Sequence, residues 1–425
     1  MNTAGIEAVG VYGGSVYLDV SELAQYRGMD LQRFENLLIR QKSAALPYED
    51  AVSLGVNAAK PVIDALSQAE RDQIELLITC TESGLDFGKS LSTYIHHYLG
   101  LSRNCRLFEI KQACYSGTAG YQMALNFILS QTSPGAKALV VATDLSRVLV
   151  DETSDELTMD WEYFEPSGGA GAVALLVSDQ PRIFQSDIGA NGTYCFEVMD
   201  TCRPMPDSEA GDSDLSLLSY LDCCEQSFAA YRARVEGVSY QDSFNYLAFH
   251  TPFGGMVKGA HRHMMRRLLR SRPDEIDVDF ETRVAPGLRL CQRIGNIMGA
   301  TVLLSLTGAV LYGDYRTPQR IGCFSYGSGC ASEFYSGVST ADGQRRLQDA
   351  PIQKALDLRH KLTMPQYEAL LEGCKAVPFG TRNHQPDLDQ VPDMKSCIAD
   401  QSAQLGYQRL FLKEIKNFHR EYDVL

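Results

Sequence analysis

The sequence predicts an α/β fold made of two halves of similar order, and three observations carry that prediction. Short, nearly continuous apolar runs such as residues 74–81 and 172–177 have strand length and lack a polar face, as strands buried on both sides do. Segments of helical period lie between such runs, as at Tyr121, Ala124, Phe127 and Ile128. The same alternation starts again near Arg182, and no low-complexity linker divides the chain. The expected halves are residues 1–178 and 179–425.

Bulk properties narrow the function class. The chain has 425 residues, 44% of them apolar and 22% charged, an ordinary globular composition with ample length for a large core. A net charge of −14 argues against general binding of nucleic acid or anionic membranes. The first residues lack a basic stretch followed by an apolar core, and residues 297–312 are too short and too rich in small polar residues to span a bilayer. The twelve cysteines are scattered without a Cys-x-x-Cys pair, so free thiols in a cytoplasmic protein are expected and a zinc site is not.

In chain order, residues 6–12 open as a strand. Residues 30–41, with Leu31, Phe34, Leu37 and Leu38, have helical spacing, and 49–66 form a second helix interrupted at Pro61. The strand at 74–81 places Glu82 at its C-terminal end, the edge where ligands gather in α/β sheets. A helix runs to Tyr98. After a strand end at 107–110, Cys114 precedes a small-residue helix whose free N–H groups and dipole favour a thiolate; a buried structural cysteine is the competing reading. Residues 137–143 form a strand ending in Asp144. The acidic stretch 151–165 reads as a solvated loop or lid. The Gly168–Gly171 run precedes a strand and lacks a lysine, which argues against a phosphate cradle.

The second half begins with a strand from Arg182. Residues 192–215 read as loop-rich and 214–234 as a helix. The strand 246–249 ends in His250, mirroring Glu82, although a histidine there is ordinarily structural. The following helix carries Lys258, His261, Arg262, His263, Arg266, Arg267 and Arg270, a local reversal of sign on an acidic protein. It is either a solvated face or a dock for a phosphate or an acidic partner. Gly295-Asn296 precedes another small-residue helix, residues 320–325 form a strand with 330–337 as hairpin partner, and the last eighty residues read as helical and polar.

Four separated pieces then align: Thr81-Glu82-Ser83, Ala113-Cys114-Tyr-Ser-Gly-Thr, Phe249-His250-Thr-Pro-Phe, and Gly295-Asn296 with Phe324-Ser325-Tyr-Gly-Ser-Gly. Together, with Gly169-Ala-Gly-Ala-Val-Ala and Arg420-Glu-Tyr, they resemble the 3-hydroxy-3-methylglutaryl synthases of the thiolase superfamily over nearly the whole chain. The resemblance implies a five-layered αβαβα fold of two pseudo-repeats, a homodimer, and no metal, nucleotide or redox cofactor. It implies Cys114 as the nucleophile that accepts an acetyl group, Glu82 as the base that removes a methyl proton, and His250 as the residue orienting the acceptor. Asn296 would share the acceptor carbonyl, and the Ser325 loop would position the acetyl carbonyl.

Departures from the mevalonate-pathway members concentrate where coenzyme A would be recognised. Val148 follows Arg147 where a tyrosine is usual, Met298 and Gly255 replace a tyrosine and a lysine, and the segment up to Gly169 is longer by roughly three helical turns' worth of residues. The pattern is similar to the β-branching synthases of bacterial polyketide pathways. These take acetyl from a donor acyl carrier protein and add it to a β-ketoacyl chain on an acceptor carrier protein. The expectation is an acyltransferase whose substrates ride on phosphopantetheine, with Lys258, Arg266 and Arg267 docking the acidic carrier and Arg33 meeting the phosphopantetheine phosphate. The alternatives are a mevalonate-pathway synthase using acetyl-CoA and acetoacetyl-CoA, a decarboxylating ketosynthase, and a catalytically idle carrier-binding scaffold.

Overall fold

The structure is a computed structural model, and it describes residues 3–30, 34–146, 161–205 and 208–425. Its frame is a sheet of strands β1 (Gly5–Tyr12), β2 (Ile74–Cys80), β3 (Arg106–Ile110), β4 (Lys137–Leu145), β5 (Ala170–Ser178) and β6 (Phe184–Cys195). A hairpin of β7 (Thr201–Met205) and β8 (Ser208–Gly211) follows, then β9 (Tyr246–Phe249), β10 (Gln319–Gly327) and β11 (Ala331–Ser339). Among the described residues the sheet order is β9-β10-β11-β6-β1-β5-β4-β2-β3.

That order contains an internal repeat. β2 pairs β4 parallel, β4 pairs β5 antiparallel and β5 pairs β1 antiparallel. In the second half β9 pairs β10 parallel, β10 pairs β11 antiparallel and β11 pairs β6 antiparallel. The two sets meet where β1 touches β6 at Gly5–Gln185 and Ile6–Phe184. Helices α1 (Ala51–Asp64) and α2 (Ser116–Ser130) in the first set correspond to α3 (Ser213–Arg234) and α6 (Thr301–Tyr312) in the second. Helices α4 (Gly254–Leu269) and α5 (Ala285–Ile294) complete the second set.

Strand residues alternate between two cores because each strand is buried on both faces. Leu76, Ile78, Val140, Ala142, Val173 and Leu175 face the central core, where α2 and α6 pack between the two sets of strands. Their neighbours Leu77, Leu139, Val141 and Leu176 face an outer core under α1. Phe324, Phe334 and Phe249 face the opposite outer core, against Phe228 and Tyr231 of α3 and Met264 of α4. This is the five-layered αβαβα arrangement. The amino ends of the two central helices approach closely, since a Cβ on Gly117 would lie 2.1 Å from the Gly299 carbonyl oxygen.

Several expectations need correction. Helical geometry in the 30–41 stretch ends at Glu35; Leu38 takes a φ of 52°, and Gln41–Ala44 pairs antiparallel with Val16–Asp19. Asn36 and Leu38 instead abut the start of α4, whose Gly254 and Gly255 have no side chains to keep them apart. The 192–215 stretch is not simply loop: β6 continues to Cys195 and the β7–β8 hairpin follows. The C-terminal region contains helices as expected, but it ends in a hairpin of β12 (Leu410–Lys416) and β13 (His419–Val424). That hairpin is pinned by Arg420 Nη1 and the Tyr422 hydroxyl, which donate at 3.0 and 2.8 Å to Asp50, the N-cap of α1. Residues 161–167 are helical; the remainder of the expected lid, 151–160, lies outside the described residues. No helix among the described residues is long and apolar enough to cross a membrane.

Candidate active site

Because the halves repeat, their equivalent strand ends and helix starts converge. Glu82 follows β2 and His250 follows β9; Cys114 precedes α2, and Asn296 precedes α6 with its leading turn Met298–Ala300. All four line one cavity of about 1040 Å³.

The Cys114 thiol donates to Glu82 Oε1 at 3.1 Å, so candidate nucleophile and candidate base are within direct reach of each other. Ala113, immediately before the cysteine, has a φ of 43°, an uncommon conformation for a residue with a Cβ. Leu38 and Met298, at 52° and 48°, also line the cavity. Backbone held this way at a site must be overdetermined by its surroundings.

Behind Glu82 lies Asp144, fully buried at the end of β4. Its Oδ1 accepts from the Thr81 hydroxyl at 2.9 Å, the Glu82 N–H at 2.7 Å, and the Ser83 N–H and hydroxyl at 3.0 and 2.9 Å. Its Oδ2 has no hydrogen-bond partner among the described residues. Burial, reinforced by the neighbouring Glu82, pushes the Asp144 carboxyl up to about 7. The group therefore fixes the backbone that presents Glu82 while resisting a second negative charge beside it.

Arg203 enters from the β7–β8 hairpin. Its Nη1 donates to the Glu82 carbonyl oxygen at 3.4 Å, and its Nε lies 3.8 Å from Glu82 Oε2. Buried Asp200 braces the start of the hairpin, accepting from the Tyr326 hydroxyl and, at 2.9 Å, from the Gly329 N–H. Sequence reasoning singled out neither residue. A signal was present: Arg203 is the sole Lys or Arg between Arg182 and Arg232.

His250 is buried, and its backbone is held from both sides. Its N–H donates to the Phe324 carbonyl at 2.8 Å, and the Tyr220 hydroxyl donates to its own carbonyl at 2.6 Å. Burial drives its imidazole down to about 3, so the ring is neutral at physiological pH. Nδ1 lacks a hydrogen-bond partner among the described residues. Asn296 Oδ1 accepts from the Met298 N–H at 3.0 Å and the Thr301 hydroxyl at 2.9 Å, which leaves the amide NH2 as its available donor. The Gly169 N–H donates to the Asn296 carbonyl at 2.8 Å, so the glycine run before β5 serves close packing on the Gly295-Asn296 turn, where Gly295 has a φ of 88°.

The other expected binding residues are placed differently. Ser325 lies within β10 rather than in a loop; it is fully buried and does not line the cavity, whereas Tyr326 and Ser328 do. On α4, Lys258 and Arg262 reach the cavity wall, with Lys258 also paired to Asp277 at 3.1 Å. Arg266 is exposed one turn further on, and Arg267 pairs with Glu225 at 3.1 Å; neither lines the cavity. Helical geometry explains the split: 258, 262 and 266 follow one another at i, i+4 along one face, with 266 a turn beyond the cavity, whereas 267 lies on the opposite side of the helix. Arg33 lies outside the described residues.

Comparisons with known proteins agree with this geometry. Residues 1–181 match the N-terminal model, and 274–421 the C-terminal model, of hydroxymethylglutaryl-coenzyme A synthase. The polyketide biosynthesis 3-hydroxy-3-methylglutaryl-ACP synthase PksG of Bacillus subtilis is 64% identical over 99% of both chains. The hydroxymethylglutaryl-CoA synthase of Enterococcus faecalis is 30% identical over 87% of this chain and 91% of its own. The crystal structure of the curacin biosynthetic pathway HMG synthase in complex with acetyl donor-ACP superposes with a TM-score of 0.94 at 60% identity, covering all of both chains. With the thiol and carboxylate in contact and a neutral imidazole lining the same cavity, the chain belongs to the hydroxymethylglutaryl-coenzyme A synthase family and has its thiolase-like fold.

Proposed function

We propose that this acyltransferase is a β-branching HMG synthase of a polyketide pathway, acting on substrates carried by acyl carrier proteins. The observation that carries the reading is the 3.1 Å contact of Cys114 Sγ with Glu82 Oε1 in a cavity shared with His250 and Asn296. The 64% identity to a polyketide HMG-ACP synthase supports the carrier-protein branch of the family.

In the first step Cys114 attacks the thioester of an acetyl donor, forming acetyl-Cys114 and releasing the donor's phosphopantetheine thiol. Glu82 then removes a proton from the acetyl methyl group, and the enolate carbon adds to the β-ketone of the acceptor chain. His250 acts as a neutral hydrogen-bond donor to the ketone oxygen, assisted by the Asn296 amide. The proton taken from the methyl group is balanced by one delivered to the resulting alkoxide. Water finally cleaves the Cys114 thioester, leaving a 3-hydroxy-3-carboxymethyl chain on the acceptor carrier protein and a free thiol.

The basic wall of α4 at Lys258 and Arg262, continued one turn outward by Arg266 with Arg267 flanking it on the other side of the helix, suits the acidic donor and acceptor carriers and speeds their encounter. Arg33 is assigned to the phosphopantetheine phosphate and Ser325 to support of the Tyr326–Ser328 wall. The repeat in strand order supports halves at 1–178 and 179–425, a cytoplasmic homodimer being the expected state.

Intact-mass measurement after brief mixing with acetylated donor carrier protein or with acetyl-CoA tests the proposal. A Cys114-dependent acetyl adduct forming far faster from the carrier protein is expected. Equal or faster labelling by acetyl-CoA would favour the mevalonate reading, and no adduct from either would favour a scaffold.

A further inference from the structure

Phe87 is 90% exposed, the largest exposure among the large apolar side chains of the described residues. It sits five residues beyond Glu82, on a loop tip set by Asp86, whose Oδ1 accepts from the Gly88 and Lys89 N–H groups at 2.7 Å each. Its ring lies 4.9 Å from that of Phe379, which arrives from the C-terminal region. Both rings line the cavity that holds Cys114. An aromatic pair with one ring almost fully exposed and the other half-buried, continuous with a reactive cavity, is an apolar surface of the kind that meets a ligand.

The acceptor's own chemistry says what that ligand is. Its β-carbon must come to acetyl-Cys114, and its thioester arm, leading back to the acidic carrier, belongs on the α4 side, at the wall of Lys258 and Arg262. The remaining substituent of the β-ketone needs a separate way out. The loop carrying Phe87 also brings Asp86 to the cavity, with Glu109 nearby on β3 beside Lys111, so this side offers a phosphate far less than the α4 side does. For an acetoacetyl group the substituent is a methyl that stays inside; for a longer polyketide it must leave over an apolar rim.

We infer that Phe87 and Phe379 form the rim over which the acceptor's acyl chain beyond its β-ketone leaves the cavity, making the pair a determinant of acceptor chain length. This rests on the β-branching reading above. The phenylalanines stand on the cavity lining apart from the thiol–carboxylate pair of Cys114 and Glu82, so their effect falls on selection of the acceptor.

The experiment uses enzyme pre-acetylated on Cys114 and compares kcat/KM for acetoacetyl-carrier protein and 3-oxooctanoyl-carrier protein in the wild type, Phe87→Ser and Phe379→Ser. Each substitution is expected to lower the 3-oxooctanoyl-to-acetoacetyl ratio by roughly tenfold, the range over which small apolar differences are discriminated in a pocket. Because Phe87 is exposed, its replacement leaves the core intact, and circular dichroism together with the acetylation step verifies this. A ratio unchanged in both variants overturns the inference while leaving the β-branching reading in place. Failure of the acetylated wild type to turn over either carrier-bound substrate overturns that reading and the inference with it.

Discussion

Replacing Asp144 by asparagine separates the electrostatic from the geometric role of this buried carboxyl. The amide oxygen can still accept from Thr81, Glu82 and Ser83, so the loop carrying Glu82 stays in place. What disappears is the ionisation. In the folded chain the Asp144 carboxyl is raised from 3.8 to about 7. Between those values the folded protein holds a proton that the unfolded chain has already released, so stability is lost as pH rises through the window. The span corresponds to about 4 kcal/mol at its upper end, fully developed above pH 7 and absent below pH 4. The asparagine variant carries no such slope. Its unfolding free energy relative to the wild type, from urea denaturation at pH 5, 6, 7 and 8, is therefore expected to rise by roughly 2–3 kcal/mol between pH 5 and 8, the rest of the span lying below pH 5. The amide nitrogen occupies the Oδ2 position, which has no hydrogen-bond partner among the described residues, and leaving it unsatisfied costs about 1–3 kcal/mol independently of pH. A constant offset is compatible with the argument; a difference that stays flat from pH 5 to 8 refutes it.

Glu82→Gln should cut condensation by roughly 10²–10⁴-fold while the acetyl adduct on Cys114 still forms, the usual weight of a positioned base; single-turnover mass spectrometry and deuterium uptake into the acetyl methyl group measure the two steps separately, and equal losses in both would count against a condensation-specific role. His250 is held down to about 3 by burial, so the kcat/KM profile for the acceptor should lack an acid limb near 6.5, and a limb there that vanishes in His250→Gln would contradict the buried neutral ring. Arg262→Glu should lower kcat/KM for carrier-bound acetyl by about tenfold at low salt and by less at high salt. Arg267→Glu, at a residue already engaged by Glu225, should do less, and the reverse order would move the docking surface outward along α4.

Much of this arrangement was legible in the chain. β2, β4 and β5 were readable because both faces are buried, which gives Leu76–Cys80, Leu139–Ala142 and Val173–Val177 their continuous apolar character. Glu82 and His250 stood out because each closes such a run. Other parts depend on tertiary contacts that local pattern does not encode. Phe34, Leu37 and Leu38 have helical spacing, yet the chain at 36–38 follows the surface of α4 instead. Leu410, Phe411 and Leu412 are all buried, so β12 offers no alternation to betray a strand. Arg203 approaches Glu82 from 121 positions away, a relation visible only once the hairpin is folded over the site.

The repeat in the sheet has a consequence for the polarity of the reaction. If two identical halves faced each other, each cavity would present either two carboxylates, which repel when ionised, or two imidazoles, with no division between a charged group and an uncharged one. Joining non-identical halves in one polypeptide lets the twin strand ends diverge. One end carries Glu82 beside the thiol, and its counterpart carries a ring that stays uncharged. A single chamber thereby has two chemically distinct poles, one from each half, which is what the proposed pairing of an acetyl donor with a ketone acceptor requires.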